Sequence, residues 1–388
     1  MRSVSVIGIG ETKMGKLQDR TLHDLIREAG TKAISDAGID KDKIEALYMG
    51  NFNSSYLCLQ SHTGALASEV LGLGTIPTVR TEGACASGSL AFRQALIAVA
   101  AGVYDIVLVG GVEKMTHRST EEVTTGIAGA ADVDFEVNVG STFPSIFAMI
   151  ANRYAYEYSD QREAMARCAV QNHANAMLNP DAQMRKEITM EQVLAAAPIA
   201  SPLTIFDCSL VTDGSAFVVV AATDIAKKID PLRCIEVVGS GHAGDTLTAA
   251  SKQSLTTMRV TVEAAKQAYA MAGLAPKDIN LAEVHDCFTI TQIITGEDLG
   301  FFEKGRGGAG VLAGETARTG RIPINVSGGL KAKGHPIGAT GLSQIYEVVT
   351  QLRGEAGDRQ LANIRHGLTH NIGGTAATCT VHILKGRE

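Results

Sequence analysis

Four short segments of this 388-residue chain carry side chains that can move protons or attack a carbonyl. The first is Thr81-Glu82-Gly83-Ala84-Cys85-Ala86-Ser87-Gly88, where Cys85 stands among small residues just before an apolar stretch from Ser89 to Gly102. Arg93 and Gln94 are the only strongly polar residues of that stretch, so it reads as a buried helix. A cysteine at the first turn of such a helix faces unpaired N–H groups and the positive end of the dipole. Both favour the thiolate, which is the nucleophile. Cys85 is therefore the candidate nucleophile, and its position predicts an acidic thiol. The second segment is Glu283-Val284-His285-Asp286-Cys287-Phe288, directly after a short apolar strand. The third is Asn325-Val326-Ser327-Gly328-Gly329 followed by Gly334-His335-Pro336-Ile337-Gly338-Ala339-Thr340-Gly341. The fourth is His370-Asn371-Ile372-Gly373-Gly374-Thr375.

Taken singly, each segment has a plain structural reading. His285 could be a strand-end histidine bonded to backbone, Cys287 a core residue, His335 an exposed turn residue. Gly373-Gly374 could be a hairpin turn, since strand-like segments flank it. Taken together, the reactive types all fall at strand ends or helix starts, where α/β folds place their sites.

The elements that must carry these residues repeat. Ala37-Gly38-Ile39 followed by Ile44 recurs 235 residues later as Ala272-Gly273-Leu274 followed by Ile279. Each copy has an amphipathic helix ahead of it, Thr21 to Ala37 and Thr261 to Ala272, ending on glycine as a C-cap. Each also opens with a strand, Val4 to Ile7 and Ile235 to Val238. Further apolar runs at Ile106 to Val109 and Ala216 to Ala222 read as buried strands. The alternation predicts two α/β halves with mostly parallel, buried sheets. Residues 118–205 break the pattern with more polar composition and helix signals, including Gln161 to Met177. The expected organisation is an N-terminal half of residues 1–117 plus 206–230, an inserted loop domain of 118–205, and a C-terminal half of 231–388.

Composition narrows the class. The chain is 45% hydrophobic and 20% charged, as a soluble protein with a large core should be. Its net charge is −6 with no run of five like charges, which argues against nucleic acid and against an anionic membrane surface. The apolar windows are interrupted by Arg93 and Asp105, so no transmembrane span is expected. Seven scattered cysteines without a CxxC pair suit a reducing cytoplasm, and Met1 to Gly10 lacks the apolar core of a signal peptide.

Cys85 in its small-residue turn, the GHPIGATG of 334–341 and the NIGG of 371–374 resemble the thiolases over nearly the whole chain. The DCSLVTDGSAFVVV of 207–220 and the stretch from Asp160 to His173 share in the likeness. One departure narrows it. Most thiolases have a Cys-x-Gly motif near the C-terminus whose cysteine is the second catalytic thiol; here Asn371 holds that position. Where most have Asn-Glu-Ala-Phe, this chain has His285-Asp286-Cys287-Phe288. That exchange is typical of the sterol-carrier-protein-type thiolases and their archaeal relatives, in which this cysteine takes over the acid/base task.

The resemblance implies a duplicated five-layered αβαβα fold with an inserted loop domain, shorter here than is usual, so that part of the usual substrate cover is missing. It implies acetyl-CoA C-acetyltransferase activity, in which two acetyl-CoA condense to acetoacetyl-CoA or the reverse thiolysis occurs, as in mevalonate-pathway isoprenoid synthesis. Cys85 would carry the acyl group, His335 would take its proton, and Cys287 would remove a methyl proton from the second substrate, with His285 and His335 donating to the enolate. The backbone N–H groups of Cys85 and Gly373 would form the oxyanion hole, and Asn371, Gly334 and Ser327 would contact substrate. Coenzyme A is substrate, and no metal or organic cofactor is implied. A homodimer or tetramer is implied, and in archaeal relatives a complex with 3-hydroxy-3-methylglutaryl-CoA synthase through a zinc-ribbon/OB-fold bridging protein. A non-catalytic scaffold subunit, a decarboxylating ketoacyl synthase on the same fold and a cysteine hydrolase stand as alternatives at this point.

Overall fold

The computed structural model describes residues 2–387. Eleven strands form in chain order: β1 Val4–Glu11, β2 Ala46–Gly50, β3 Thr78–Thr81, β4 Ile106–Glu113, β5 Pro198–Ala200, β6 Leu203–Thr204, β7 Gly214–Ala222, β8 Ile235–Gly244, β9 Leu281–Glu283, β10 His366–Gly373 and β11 Thr378–Lys385. Nine of them join in the order β3-β2-β4-β7-β1-β8-β11-β10-β9, while β5 and β6 pair apart. The seam between the halves is short: Ser5 pairs with Glu236 and Val6 with Ile235.

The strands are buried as continuous apolar runs because both faces are covered. In β7, Val218 and Val220 pack towards the molecular centre with the helix Ser87–Ala100, while Phe217 and Val219 pack outwards against the helix Leu22–Asp36. Each side chain alternates faces, so a strand sandwiched between helices has no polar face to show. The two central helices, Ser87–Ala100 and Thr340–Arg353, pack on each other between the two half-sheets. Outer helices Leu22–Asp36 and Arg259–Ala272 complete five layers.

Parallel pairing is the minority, contrary to the sequence expectation. Only β2 with β3, β2 with β4, and β9 with β10 run parallel; β4/β7, β1/β7, β1/β8, β8/β11 and β10/β11 are antiparallel. The reason is that β7 returns from the excursion to slot between β4 and β1, and that β10 and β11 form a hairpin.

The repeat runs deeper than its Ala-Gly signature. Gly38 and Gly273 both take left-handed φ values, +63° and +67°, at the helix ends. A Cβ on Gly8 or Gly10 would strike the backbone of Ala33 or Ala29; on Gly239 or Gly241 it would strike that of Ala268 or Ala264. Ala264 and Ala268 lie 235 residues beyond Ala29 and Ala33. Both halves thus use paired glycines to lay a helix directly on their first strand. The second helix starts at Arg259, two residues before the expected Thr261.

Between β4 and β7 the chain adds the helices Thr120–Ala128, Phe143–Glu157, Arg162–Met177 and Met190–Leu194 and contributes no strand to the main sheet. No helix among the described residues is long and apolar enough to cross a membrane.

Candidate active site

Cys85 sits in a tight turn, Ala84–Ala86, that leads straight into the central helix Ser87–Ala100. Ala84 is held at φ +50°, a costly value for a residue with a Cβ. Its partners over-determine it: Ala84 N–H donates to Glu82 Oε1 at 2.6 Å, and Ser87 Oγ donates to Ala84 O at 2.6 Å while accepting from Gly83 N–H. The second central helix, Thr340–Arg353, begins from a matching turn, Ile337–Ala339, packed on the first. Two helix N-termini therefore meet at Cys85 and the 334–341 loop.

The residue after β9 begins an extended segment in which His285 and Cys287 face a cavity and Asp286 faces away. Asp286 instead accepts from Leu330 N–H at 2.7 Å, Lys331 N–H at 3.3 Å and Asn172 Nδ2 at 2.7 Å. It thereby pins the turn that leads to His335. The segment 208–212 laces the two loops together. Ser209 N–H donates to Cys287 O at 2.8 Å, and His335 N–H donates to Thr212 Oγ1 at 3.0 Å.

The cavity has a volume of about 410 Å³. Cys85, His285, Cys287, His335 and Gly374 form its floor, and Phe143, Ile146, Phe147 and Phe288 form an apolar wall. Phe147 and Phe288 stack with centroids 4.5 Å apart. The excursion between β4 and β7 supplies most of that wall, so it does cover the site. Sγ of Cys85 and one ring nitrogen from each of His285 and His335 all lie within 4.8 Å of one another.

Hydrogen bonds set the tautomers. Thr340 Oγ1 donates to Pro336 O at 3.1 Å and lies 2.7 Å from Nδ1 of His335. Both bonds form only when His335 carries its proton on Nδ1, leaving Nε2 with a lone pair. Asn371 Nδ2 donates to Nδ1 of His285 at 2.8 Å, so His285 carries its proton on Nε2. One imidazole is thus set to accept a proton and the other to donate a hydrogen bond.

Burial governs the electrostatics. It pushes the Cys85 thiol up to about 12, with the backbone N–H groups of Gly374 and Cys85 itself only partly opposing it. The helix start alone predicts an acidic thiol, but burial among Leu57, Met115, Val123 and Ile337 costs the thiolate more than the helix end returns. Burial also raises Cys287 well above the usual thiol range, and a thiolate at Cys85, whenever one forms, adds to it. It lowers His335 to about 3 and holds His285 well below the usual histidine value. At neutral pH the site rests as two thiols and two neutral imidazoles.

Four of the expected site residues lie behind the cavity lining. The amide aimed at Cys85 Sγ, besides its own, is that of Gly374, which borders the cavity; Gly373 does not. A Cβ on Gly373 would overlap the Gly83 carbonyl, so glycine there lets the hairpin turn and the Cys85 turn close on each other. Asn371 is 1% exposed and reaches His285 and Ser89, not the cavity. Gly334, at φ +131° against Thr212, shapes the turn, and Ser327 bonds Glu283 through N–H and Oγ; neither borders the cavity.

Thr340 lies inside the glycine-rich segment 334–341, and only its contact with His335 shows its use. Glu113 was also missed. It accepts from Phe52 N–H, Asn53 N–H, Asn51 Nδ2 and Gly338 N–H, tying the 334–341 loop to the N-terminal half. Nothing in the sequence around Glu113 sets it apart from any charge at a strand end.

Residues 4–224 match the family model for the thiolase N-terminal domain, and residues 241–386 match the thiolase C-terminal domain-like model. The chain is a member of the thiolase family. Among curated relatives, this thiolase is 47% identical to an acetyl-CoA acetyltransferase of Methanothermobacter thermautotrophicus over 99% of each chain. It is 44% identical to the acetyl-CoA acetyltransferase of Methanocaldococcus jannaschii over the full length of both. Among solved structures, it superposes on the Ltp2-ChsH2(DUF35) aldolase with a TM-score of 0.86 at 25% identity, covering 99% of this chain and 98% of that one. Human mitochondrial 3-ketoacyl-CoA thiolase in complex with CoA shares the fold, with a TM-score of 0.75 at 19% identity over 100% of this chain and 98% of that one.

Proposed function

We propose that this thiolase is an acetyl-CoA C-acetyltransferase that condenses two acetyl-CoA to acetoacetyl-CoA and runs the reverse thiolysis. The observation that carries this reading is the convergence of Cys85, Cys287, His285 and His335 on one cavity from opposite halves of the chain. Its likeness to two archaeal acetyl-CoA acetyltransferases over the whole chain supports the choice of substrate.

In the first half-reaction His335 Nε2 takes the proton from Cys85, and Sγ attacks the thioester carbon. The N–H groups of Cys85 and Gly374 steady the oxyanion, and the departing CoA sulfur collects the proton from His335. In the second, Cys287 loses its proton to an imidazole and, as thiolate, abstracts one from the methyl carbon of a new acetyl-CoA. Acetylation of Cys85 excludes a thiolate at that position, so no negative sulfur stands beside Cys287 to oppose its ionisation in this step. The enolate oxygen takes a hydrogen bond from His285 Nε2–H; one such donor is worth about 3 kcal/mol. The carbanion attacks acetyl-Cys85, and the Cys85 thiolate released recovers the proton held by the imidazole. Coenzyme A enters and leaves as substrate and product.

Cys287 separates this reading from a decarboxylating synthase, which needs no second thiol, and the Cys85 sulfur within 4.8 Å of a His335 nitrogen separates it from an inert scaffold. The enzyme should cleave acetoacetyl-CoA in the presence of CoA and should not use a malonyl thioester in place of acetyl-CoA; the opposite preference overturns the assignment.

The same reading extends to partners and place. The chain works as a dimer or tetramer in the cytoplasm, and it associates with 3-hydroxy-3-methylglutaryl-CoA synthase through a zinc-ribbon/OB-fold protein. The structural likeness to an aldolase whose name pairs it with a DUF35 protein supports such a bridge. Affinity capture from the native host that recovers neither protein counts against it.

A further inference from the structure

We infer that Cys85, His285 and His335 also form a soft-metal site, which takes a zinc-class divalent cation and silences the enzyme while it is filled. One sulfur and two imidazole nitrogens within 4.8 Å of one another are three corners of a tetrahedron. Zinc holds sulfur at about 2.3 Å and imidazole nitrogen at about 2.0–2.1 Å, which places neighbouring donors roughly 3.3–3.6 Å apart. Side-chain shifts of about an ångström close the set. A thiolate with two imidazoles selects zinc, cobalt or cadmium over magnesium and calcium.

The rings are already oriented for it. Nδ1 of His335 is engaged by Thr340 and Nδ1 of His285 by Asn371, so Nε2 is the nitrogen each ring has left to give. The fourth corner opens on the cavity, where the sulfur of CoA must arrive, so water or a CoA thiolate completes the shell.

His285 needs one adjustment. To offer an Nε2 lone pair it must carry its proton on Nδ1 and meet an acceptor. A half-turn of the Asn371 amide presents Oδ1 to that N–H and swings Nδ2 towards Ser89. Ser89 Oγ can accept it, because its own proton can go to Ala86 O at 3.1 Å. The amide thus has two settings: one makes His285 a hydrogen-bond donor, the other a metal ligand. On binding, the Cys85 proton and the displaced waters leave to solvent. The binding rests on donor geometry alone; that it stops turnover rests on the acyl-transfer reading of Cys85.

The test is titration of the metal-free full chain with Co²⁺ followed by absorption, then displacement by Zn²⁺ against a chelating indicator. The expected result is one cobalt per chain with a thiolate-to-cobalt charge-transfer band that disappears in Cys85→Ser. Zn²⁺ should also block alkylation of Cys85 by iodoacetamide, and a chelator should restore it. Thr340→Val should weaken Zn²⁺ binding about 10- to 100-fold. Asn371→Asp, which offers a permanent acceptor to Nδ1–H, should tighten it while slowing condensation; loss of both would mark Asn371 as merely structural and contradict the two-setting amide. No charge-transfer band, a band that survives Cys85→Ser, or unchanged affinity in His285→Ala overturns the inference. An enzyme that turns over normally and takes no cobalt sinks this site and leaves the acyltransferase standing. One that binds cobalt but never becomes acylated does the reverse.

Discussion

The side-chain amide of Asn371 lies 2.8 Å from Nδ1 of His285, and so a residue outside the cavity decides which nitrogen of that imidazole bears the proton. The same amide accepts from Ser89 Oγ at 2.9 Å, and Ser89 accepts from Thr380 Oγ1 at 2.6 Å. Ser89 is in the first turn of the helix behind Cys85, so the chain of bonds joins the nucleophile's helix to the histidine of the other half. Asn371→Ala should lower kcat on the order of 10- to 100-fold, as lost orienting partners do, with KM little changed. Steady-state thiolysis measures it; an unchanged kcat removes Asn371 from the mechanism.

Cys287 is 7% exposed and borders the cavity with its thiol raised by burial. Cys287→Ala should still become acetylated on Cys85, but condensation should fall about 10²- to 10⁴-fold, the usual worth of a positioned base. Pre-steady-state acylation and steady-state condensation measured side by side separate the two; a variant that condenses normally shows the base lies elsewhere.

The resting site is neutral, which fixes a pH profile. Burial lifts Cys85 to about 12 and drops His335 to about 3, so in the CoA-free enzyme the thiolate fraction grows as pH rises. Alkylation of Cys85 by iodoacetamide should climb without a plateau from about pH 7 to about pH 10. A plateau reached below neutrality would reveal a standing thiolate–imidazolium pair.

The Gly373 contact makes a stability prediction. Gly373→Ala forces a methyl group into the Gly83 carbonyl, which should cost about 1–3 kcal/mol and displace the Cys85 turn. Gly38→Ala, at φ +63° with no neighbour within 4 Å of the added carbon, should cost about 1 kcal/mol and leave activity intact. Thermal melts and acylation rates of the two variants compare them.

Much of the site was legible because its reactive types sit in short, glycine-punctuated segments. The repeat was legible because a helix end needs a left-handed residue, and Gly38 and Gly273 mark it. The direction of β7 was not, since pairing partners of a strand buried on both faces leave no trace in its own apolar run. The raised Cys85 thiol is not legible in the sequence because a helix start is local, whereas Leu57, Met115, Val123 and Ile337, which pack around it, come from distant segments. The positioning contacts of Asn371 and Thr340 leave no mark in the sequence, because each is a single side-chain contact that only the fold creates; Gly334 and Ser327 lie in turns that need such residues with or without a ligand.

The central claim is that Cys85 carries the acyl group. Incubation with acetyl-CoA, rapid quenching and peptide mass mapping test it most directly. The account predicts one acetyl group, on the peptide containing Cys85, absent in Cys85→Ala and discharged on adding CoA. An acetyl group on Cys287 instead, or turnover in Cys85→Ala, would contradict it.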